Sequence, residues 1–414
     1  MKPVYIVSWL FALAISFVSC DDWLDKTPKD RLYPDVYFKT EDELRLFTNQ
    51  FYNNLVPSAV DIYSESSDLI VKSDLMLEMS GQRIIPDEGN GWNFTALRDI
   101  NFYLQYSHNC TEVNARNRYD GVARFFRAYF YFEKVKRYGD IPWYDKALDS
   151  DDPELYKARD SREFVMQKML EDLDFAIANL PKTKNAYVLT RWTALALKSR
   201  VCLFEGTFRK YHGLEDCEKY LNACVSASET FMNESGYTLY KSGSTPYRDL
   251  FASINLQADE VIFGRDYEAS LSVLHNVQNY ENSTTMGRPG MNKKIVNSYL
   301  MADGSRFTDK AGYETMTFDQ ECQNRDPRLA QTIRTPGYTR IGSTKKEAPN
   351  LAYTMTGYHL IKYSMTANYD EYNKSCNDIP LFRTAEVYLN FAEAKAELGT
   401  LKQADINKAI KVVR

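Results

Sequence analysis

The chain has 414 residues, with 51 Lys and Arg against 56 Asp and Glu and a formal net charge of −5 at pH 7. That length allows one large or two ordinary domains around a sizeable core. A mildly acidic chain without a basic run argues against nucleic acid as ligand, because phosphate binding needs clustered Lys and Arg.

The N-terminus reads as a targeting segment. Lys2 precedes an apolar run from Val4 to Val18, which fits a signal core and falls short of the roughly 20 residues that span a bilayer. The run ends in Phe17-Val18-Ser19-Cys20, an arrangement similar to a lipobox. Residues 1–19 are then removed and Cys20 carries the lipid, which holds a protein at a membrane without a spanning helix. The alternative is an ordinary secretory signal followed by a chance cysteine. Asp21, Asp22 and Asp25 begin a hydrophilic tether over 20–40. Six further cysteines, at 110, 202, 217, 224, 322 and 376, form no CxxC pair. Export would permit disulfides, but most of these sit at apolar positions of predicted helices, as buried free thiols do. Aromatic residues make up 14 %, with 30 Tyr and 22 Phe; most must be core, and binding would show in those on loops.

The periodicity predicts helices over Thr40 to Leu55 and Asn93 to about Asn109. A strong amphipathic helix follows from Tyr119 to Tyr138, with Val122, Phe125, Phe126, Tyr129 and Phe132 on its buried stripe. Gly139 and Pro142 stop it. Asp160 three residues before Glu163 reads as a capping box opening a helix with Met166, Met169, Leu170, Leu173, Ala176, Ile177 and Leu180 in register, ended by Pro181. Thr190 caps the next, Arg191 to about Glu205 with Gly206 beyond, and another runs from about Glu215 to Phe231. Helix pairs joined by short turns point to stacked hairpins of the tetratricopeptide kind over 41–232, although the repeat signature is degenerate. From 233 to 380 Gly, Pro, Asn and Ser recur, which indicates a loop-rich insertion, with a short strand at Asp259 to Phe263. Helix returns at Thr384 to Leu398, and a last helix starts near Lys402 within a C-terminal segment 381–414. Its stripe of Ile406, Ala409, Ile410 and Val413 asks for a partner the sequence does not supply, which reads as truncation. The fold class is therefore predominantly all-α, a helical-repeat solenoid with an insertion carrying short strands.

Several segments carry a family likeness. Cys20-Asp21-Asp22-Trp23-Leu24-Asp25, the stretch RFFRAYFYFEKVKRYGDIPW from Arg124 to Trp143, and Arg191 to Glu205 come first. Asp326-Pro327-Arg328-Leu329, Thr335-Pro336-Gly337 and Arg383 to Ala394 follow. In this order they resemble the SusD/RagB family of Bacteroidetes outer-membrane lipoproteins. The resemblance implies a stack of helix pairs, a lid-like position over a SusC-like TonB-dependent transporter, and ligands that are mostly oligosaccharides and occasionally peptides. Family members usually continue beyond the position of Arg414.

Sugar rings present C–H faces ringed by hydroxyls, so a binder combines aromatic platforms with placed polar groups. Gln82, Arg83, Asp87, Trp92 and Asn93 form one compact candidate, in a loop with Gly81, Pro86, Gly89 and Gly91. Trp92 could equally pack the start of the next helix. The second candidate is Tyr267 to Met286, with Tyr267, His275, Gln278, Tyr280 and Asn282; its alternative is a solvated loop with one or two aromatics tucked inward. Trp143 and Trp192 read as structural, and Trp23 as tether packing or transporter contact. The four histidines are scattered without metal spacing, no nucleophile elbow or phosphate loop occurs, and no cofactor is implied. Acidic pairs arise by chance among 56 carboxylates. The sequence thus reads as a non-catalytic nutrient-capture lipoprotein facing the cell exterior. A surface glycoside hydrolase and a protein-binding helical scaffold are the alternatives.

Overall fold

The computed structural model describes residues 37–63, 67–87, 89 and 91–414. The expected signal segment, Cys20, Trp23 and most of the tether lie outside the described residues. Helix α1 (Glu41–Leu55) opens on a capping box, in which Thr40 Oγ1 accepts from the Glu43 amide at 3.3 Å and the Glu43 carboxylate accepts from the Thr40 amide at 3.1 Å. Helix α2 (Thr95–Tyr106) continues into a 3₁₀ turn over Ser107–Asn109. Helix α3 (Val113–Tyr138) begins well before Tyr119, and Gly139 at φ 71° ends it as expected.

Helix α4 (Arg162–Asn179) corrects one expectation. Its cap is Ser161, whose side chain accepts from Phe164 N. Asp160 instead turns back to accept from the Trp143 amide at 2.7 Å and the Lys157 ammonium at 3.0 Å. Helix α5 (Arg191–Tyr211) starts at its Thr190 cap but runs through Gly206 rather than stopping there. The glycine is a contact point and not a terminator: a Cβ on it would lie 2.7 Å from Leu221 Cγ on helix α6 (Cys217–Glu234). Past these come the short helix α7 (Val277–Asn282), then α8 (Thr384–Glu397), α9 (Gln403–Lys408) and α10 (Ile410–Val413).

The helices stack in sequence, α1 on α3, α3 on α4, α4 on α5, α5 on α6, and α8 against both α5 and α6. Their apolar stripes merge into one core that includes Phe51, Tyr103, Phe126, Tyr131, Met166, Leu197 and Phe231. The stripe of the last helices finds part of its partner here, since Ala409 is buried against Phe391 and Ala392. The fold is predominantly helical, of the tetratricopeptide-like kind. Strands are short: β1 (Ile70–Val71), β2 (Val261–Arg265), β3 (Gly290–Met291) and β4 (Ile379–Arg383). The antiparallel pairs β1–β3 and β2–β4 tie the irregular region to the helical body. All six cysteines from 110 onward are free, four of them buried. No described helix is long and apolar enough to cross a membrane.

Candidate functional site

Two of the clefts on this scaffold each contain one of the sequence candidates, Tyr280 in one and Trp92 in the other. The first lies where β1 meets β3. That pairing, Ile70 opposite Met291 and Val71 opposite Gly290, brings the chain after α1 against the region that follows α7. The resulting cleft of about 510 Å³ is lined by Tyr247, Tyr280, Tyr299 and Tyr363, with Asp61, Lys362 and Glu281 as its charges. Four phenol-bearing rings from four distant segments converge here.

The polar groups of this tyrosine cleft are set by their neighbours. Tyr299 and Thr332 share a hydroxyl hydrogen bond of 3.1 Å. Burial alone would raise the Tyr247 phenol, but Lys362 and Arg383 outweigh it and hold it below its ordinary value. Lys362 rests its ammonium 4.0 Å from the Phe251 ring centroid. Behind the rings, the Glu281 carboxylate accepts from Ser364 Oγ at 2.8 Å and from the Tyr363 amide at 3.2 Å. Burial pushes this carboxyl up to about 7, against those hydrogen bonds and the pull of Arg340 and Arg248. The arrangement can stack sugar faces and exchange hydrogen bonds with hydroxyls.

The rest of the second sequence candidate is structural. Tyr267 is buried, and its hydroxyl accepts from the Ala59 amide at 2.9 Å. His275 is buried with Nε2 2.9 Å from the Asn377 carbonyl, and burial lowers its pKa to about 4. Gln278 is fully buried and donates to Thr366 O and Asp370 Oδ1. Asn282, also buried, accepts from Arg334 and Arg340 and donates to Ser364 Oγ. The segment divides: residues 268–273 are an exposed loop with Tyr267 tucked inward, α7 is a core helix, and of the two tyrosines singled out there Tyr280 lines the cleft.

The second cleft, of about 600 Å³, lies beside α2 and contains Trp92. Its wall is the chain after Gly139, with Pro142, Tyr144 and Lys146, and its far side is Lys157 to Arg159. Asn101 forms part of the lining and is held from below. It donates to the Tyr144 carbonyl at 2.8 Å and accepts from Arg127 at 3.2 Å, while Arg127 grips Asp172 through two bonds of 2.6 and 2.8 Å. Trp92 is 41 % exposed, packs edge-to-face on Phe94 and Tyr138, and lines the cleft. Gln82, Arg83, Asp87 and Asn93 are exposed and line neither cleft. Arg83 pairs with Glu78 at 3.5 Å, and Asn93 Oδ1 accepts from the Thr95 amide, which starts α2. Trp143 and Trp192 are structural: the first stacks on Tyr131, and the second donates from Nε1 to the Lys182 carbonyl.

Sequence reasoning passed over Tyr247, Tyr299, Tyr363 and Lys362. Tyr247 lies in a short helix (Pro246–Ala252) and the others in irregular stretches, and apart from the adjacent Lys362 and Tyr363 only the folded chain makes them neighbours. Among the described residues no group of three or more His, Cys, Asp or Glu is placed to hold a metal ion.

A stack of helix pairs carrying open, aromatic-lined clefts defines a helical-repeat protein with room for a ligand. Comparison with known proteins agrees. A family model described as the SusD family matches residues 250–414, and one described as starch-binding associating with outer membrane matches 81–191. SusD-like protein P2 of Formosa agariphila is 25 % identical, the match covering 94 % of this chain and 76 % of that one. A second relative there, SusD-like protein P38, is 25 % identical over 49 % of this chain and 43 % of its own. Among solved structures, a SusD-like protein of Bacteroides fragilis superposes with a TM-score of 0.72 at 21 % identity, covering 94 % of this chain and 82 % of its own. A SusD-like carbohydrate binding protein of the same species gives a TM-score of 0.67 at 18 % identity, over 91 % and 78 %. The chain belongs to the SusD/RagB family.

Proposed function

We propose that this chain is a non-catalytic surface lipoprotein that holds an oligosaccharide in the tyrosine cleft and passes it to a SusC-like TonB-dependent transporter in the outer membrane. The observation that carries the reading is the convergence of Tyr247, Tyr280, Tyr299 and Tyr363 at the junction of helical stack and irregular region. Aromatic faces suit the C–H faces of sugars, and the hydroxyls, Asp61 and Lys362 suit their rims. Affinity is modest, because each sugar hydroxyl exchanges a water partner for a protein partner at little net gain. That suits a receptor that hands its ligand onward. The carbohydrate-binding name of a solved relative and the starch-binding description of the second family model support the ligand class. The same description supports the outer-membrane setting. The anchor is an acyl chain on Cys20, so metabolic labelling with fatty acid marks the parent and not Cys20→Ala.

The functional test is affinity electrophoresis over a panel of neutral glycans. Tyr247→Ala and Tyr299→Ala each remove a ring and a hydroxyl, roughly 1–2 kcal/mol together. Each therefore weakens retention about tenfold. Unchanged retention on every glycan that the parent binds removes the tyrosine cleft from the reading. New reducing ends above background during incubation would make the protein a hydrolase instead.

A further inference from the structure

The Trp92 cleft differs from the tyrosine cleft in its charge. Arg98, Lys146, Lys157 and Arg159 all line it, and among the described residues no Asp or Glu does. On a chain whose acidic residues outnumber its basic ones, 56 to 51, that is a local reversal of sign. Two of the cations are spoken for: Lys146 pairs with Glu154 at 2.8 Å, and Lys157 with Asp160 at 3.0 Å. The two arginines are held more loosely. Arg98 donates to the Leu148 carbonyl and reaches only the largely exposed Asp149, at 3.8 Å. Arg159 meets the Asp140 carbonyl at 3.5 Å and pairs with no carboxylate among the described residues.

Arg159 is nonetheless ordered for binding. Its guanidinium lies over the Trp92 ring, 5.0 Å from the centroid, and that ring is wedged between Phe94 and Tyr138 at 5.2 and 4.9 Å. Stacking fixes a planar guanidinium while leaving its donor edge free for a bidentate anion. Phe94 and Tyr144 add aromatic surface beside it, and the Arg127–Asp172 pair holds the Asn101 floor. The volume of about 600 Å³ is within the range of small-ligand clefts. A neutral ligand here would shield Arg159 from water without supplying a counter-charge and would leave Arg98 only its long pair with Asp149. An anion gives each a partner.

We infer that the Trp92 cleft is a second binding site, selective for sugar residues that carry an anionic group, a carboxylate or a sulfate ester, with Arg159 and Arg98 as its anion ligands. Among the described residues none lines both clefts, so this site stands or falls apart from the tyrosine cleft.

Trp92 supplies its own reporter. Intrinsic tryptophan fluorescence of the purified protein is titrated with oligogalacturonate and its methyl ester, and with a sulfated galactan oligosaccharide and its desulfated form. Far-UV circular dichroism checks each variant for folding; Arg159 is exposed, so its replacement leaves the core untouched. The expected result is a saturable change with at least one acidic probe, at an affinity tenfold or more above its neutral counterpart. The stronger of the two probes names the anion. Trp92→Phe removes the signal, Arg159→Gln lowers the acidic affinity at least tenfold and erases the preference, and 0.5 M salt weakens it. Equal binding of acidic and neutral probes, no response to either acidic probe, or an unaltered affinity in Arg159→Gln overturns the assignment. Tetraglutamate binding as tightly as oligogalacturonate overturns its sugar part.

Discussion

Arg127 carries a full charge on the buried stripe of α3, between Phe126 and Ala128. Burial alone would lower its pKa, but the two bonds to Asp172 outweigh that and raise it. Removing one partner strands the other charge in the core, which costs about 3–5 kcal/mol, whereas replacing both with apolar residues is often tolerated. Arg127→Met should therefore lower the urea midpoint sharply, and Arg127→Met with Asp172→Leu should recover most of the loss; a double variant as unstable as the single would refute this. Glu281 gives a pH test. Its folded carboxyl is raised from 4.5 to about 7, so its contribution to stability is present below pH 4.5 and lost as pH rises to about 7. Two buried histidines oppose it: His275 and His359 are lowered from 6.5 to about 4, and their contribution is lost as pH falls through that window. Comparison of parent with Glu281→Gln isolates the carboxyl, because the histidines cancel. The variant should gain stability relative to the parent between pH 4.5 and 7 and hold that gain above it, read as the difference in Tm. A flat difference contradicts a carboxyl held neutral. At this scale the sequence was partly legible. Trp92 and Tyr280 were found by residue type, whereas Arg159 and Tyr299 stand out only once the chain has folded around them.

The helices of the stack were the most legible elements, because their period of 3.6 extends over many residues. The misreadings fell where two local signals compete. Asp160 and Ser161 both suit a cap, and Ser161 wins because Asp160 is held by the Trp143 amide and Lys157. Gly206 looked like a stop, yet the next helix crosses there. A Cβ at 206 would meet Leu221 Cγ and Cδ2 at 2.7 and 2.8 Å and the Leu221 amide at 3.1 Å. Gly206→Ala therefore sets an overpacking cost of about 1–3 kcal/mol against a gain in helix propensity of about 1 kcal/mol. The expected balance is a lower Tm, and trimming the neighbour with Leu221→Ala in the same chain should be less damaging than the two changes summed. Strict additivity would mean that the α5–α6 contact at Gly206 is slack. The irregular region was legible only as irregular. α7 spans six residues, too few for a period to declare itself, and its burial comes from partners such as Thr366 and Ser364 far along the chain.

Across the whole molecule, stability is unevenly distributed. One large apolar cluster runs through α1 to α6, while the irregular region holds small separate clusters, such as Met291, Val296, Leu329, Ile333, Tyr358 and Leu360. The large cluster reaches the β2–β4 pair through Ile262, Phe263 and Phe382, and beyond that contact the coupling is polar. Asp378, just before β4, accepts from the Tyr187 hydroxyl at 2.7 Å, the Leu256 amide at 3.2 Å and the Tyr267 amide at 2.8 Å. One carboxylate thus joins the α4–α5 connection to two points of the irregular region. Its neighbour Asn377 adds a bond to the Phe251 carbonyl at 2.7 Å and receives His275 at its own carbonyl. Asp378→Ala leaves the Tyr187 hydroxyl and the Tyr267 amide without an acceptor, at about 1–3 kcal/mol for each that stays buried, and leaves the Leu256 amide only its 3.3 Å bond to the Tyr187 oxygen. The helical stack keeps its own core, so the damage should be regional: low-stability units open separately from the rest of a chain. Calorimetry of the parent should show one transition, and of Asp378→Ala a second, earlier one, with limited proteolysis at mild temperature cutting between 266 and 378 and sparing α1 to α6. Both clefts bear on the outcome, since the tyrosine cleft is built on the irregular region and the Trp92 cleft on the stack. The variant should lose neutral-glycan retention at a temperature where the Trp92 fluorescence response persists. A single transition merely moved down in temperature would show that body and insertion melt as one unit, and the polar hinge would then have no separate role.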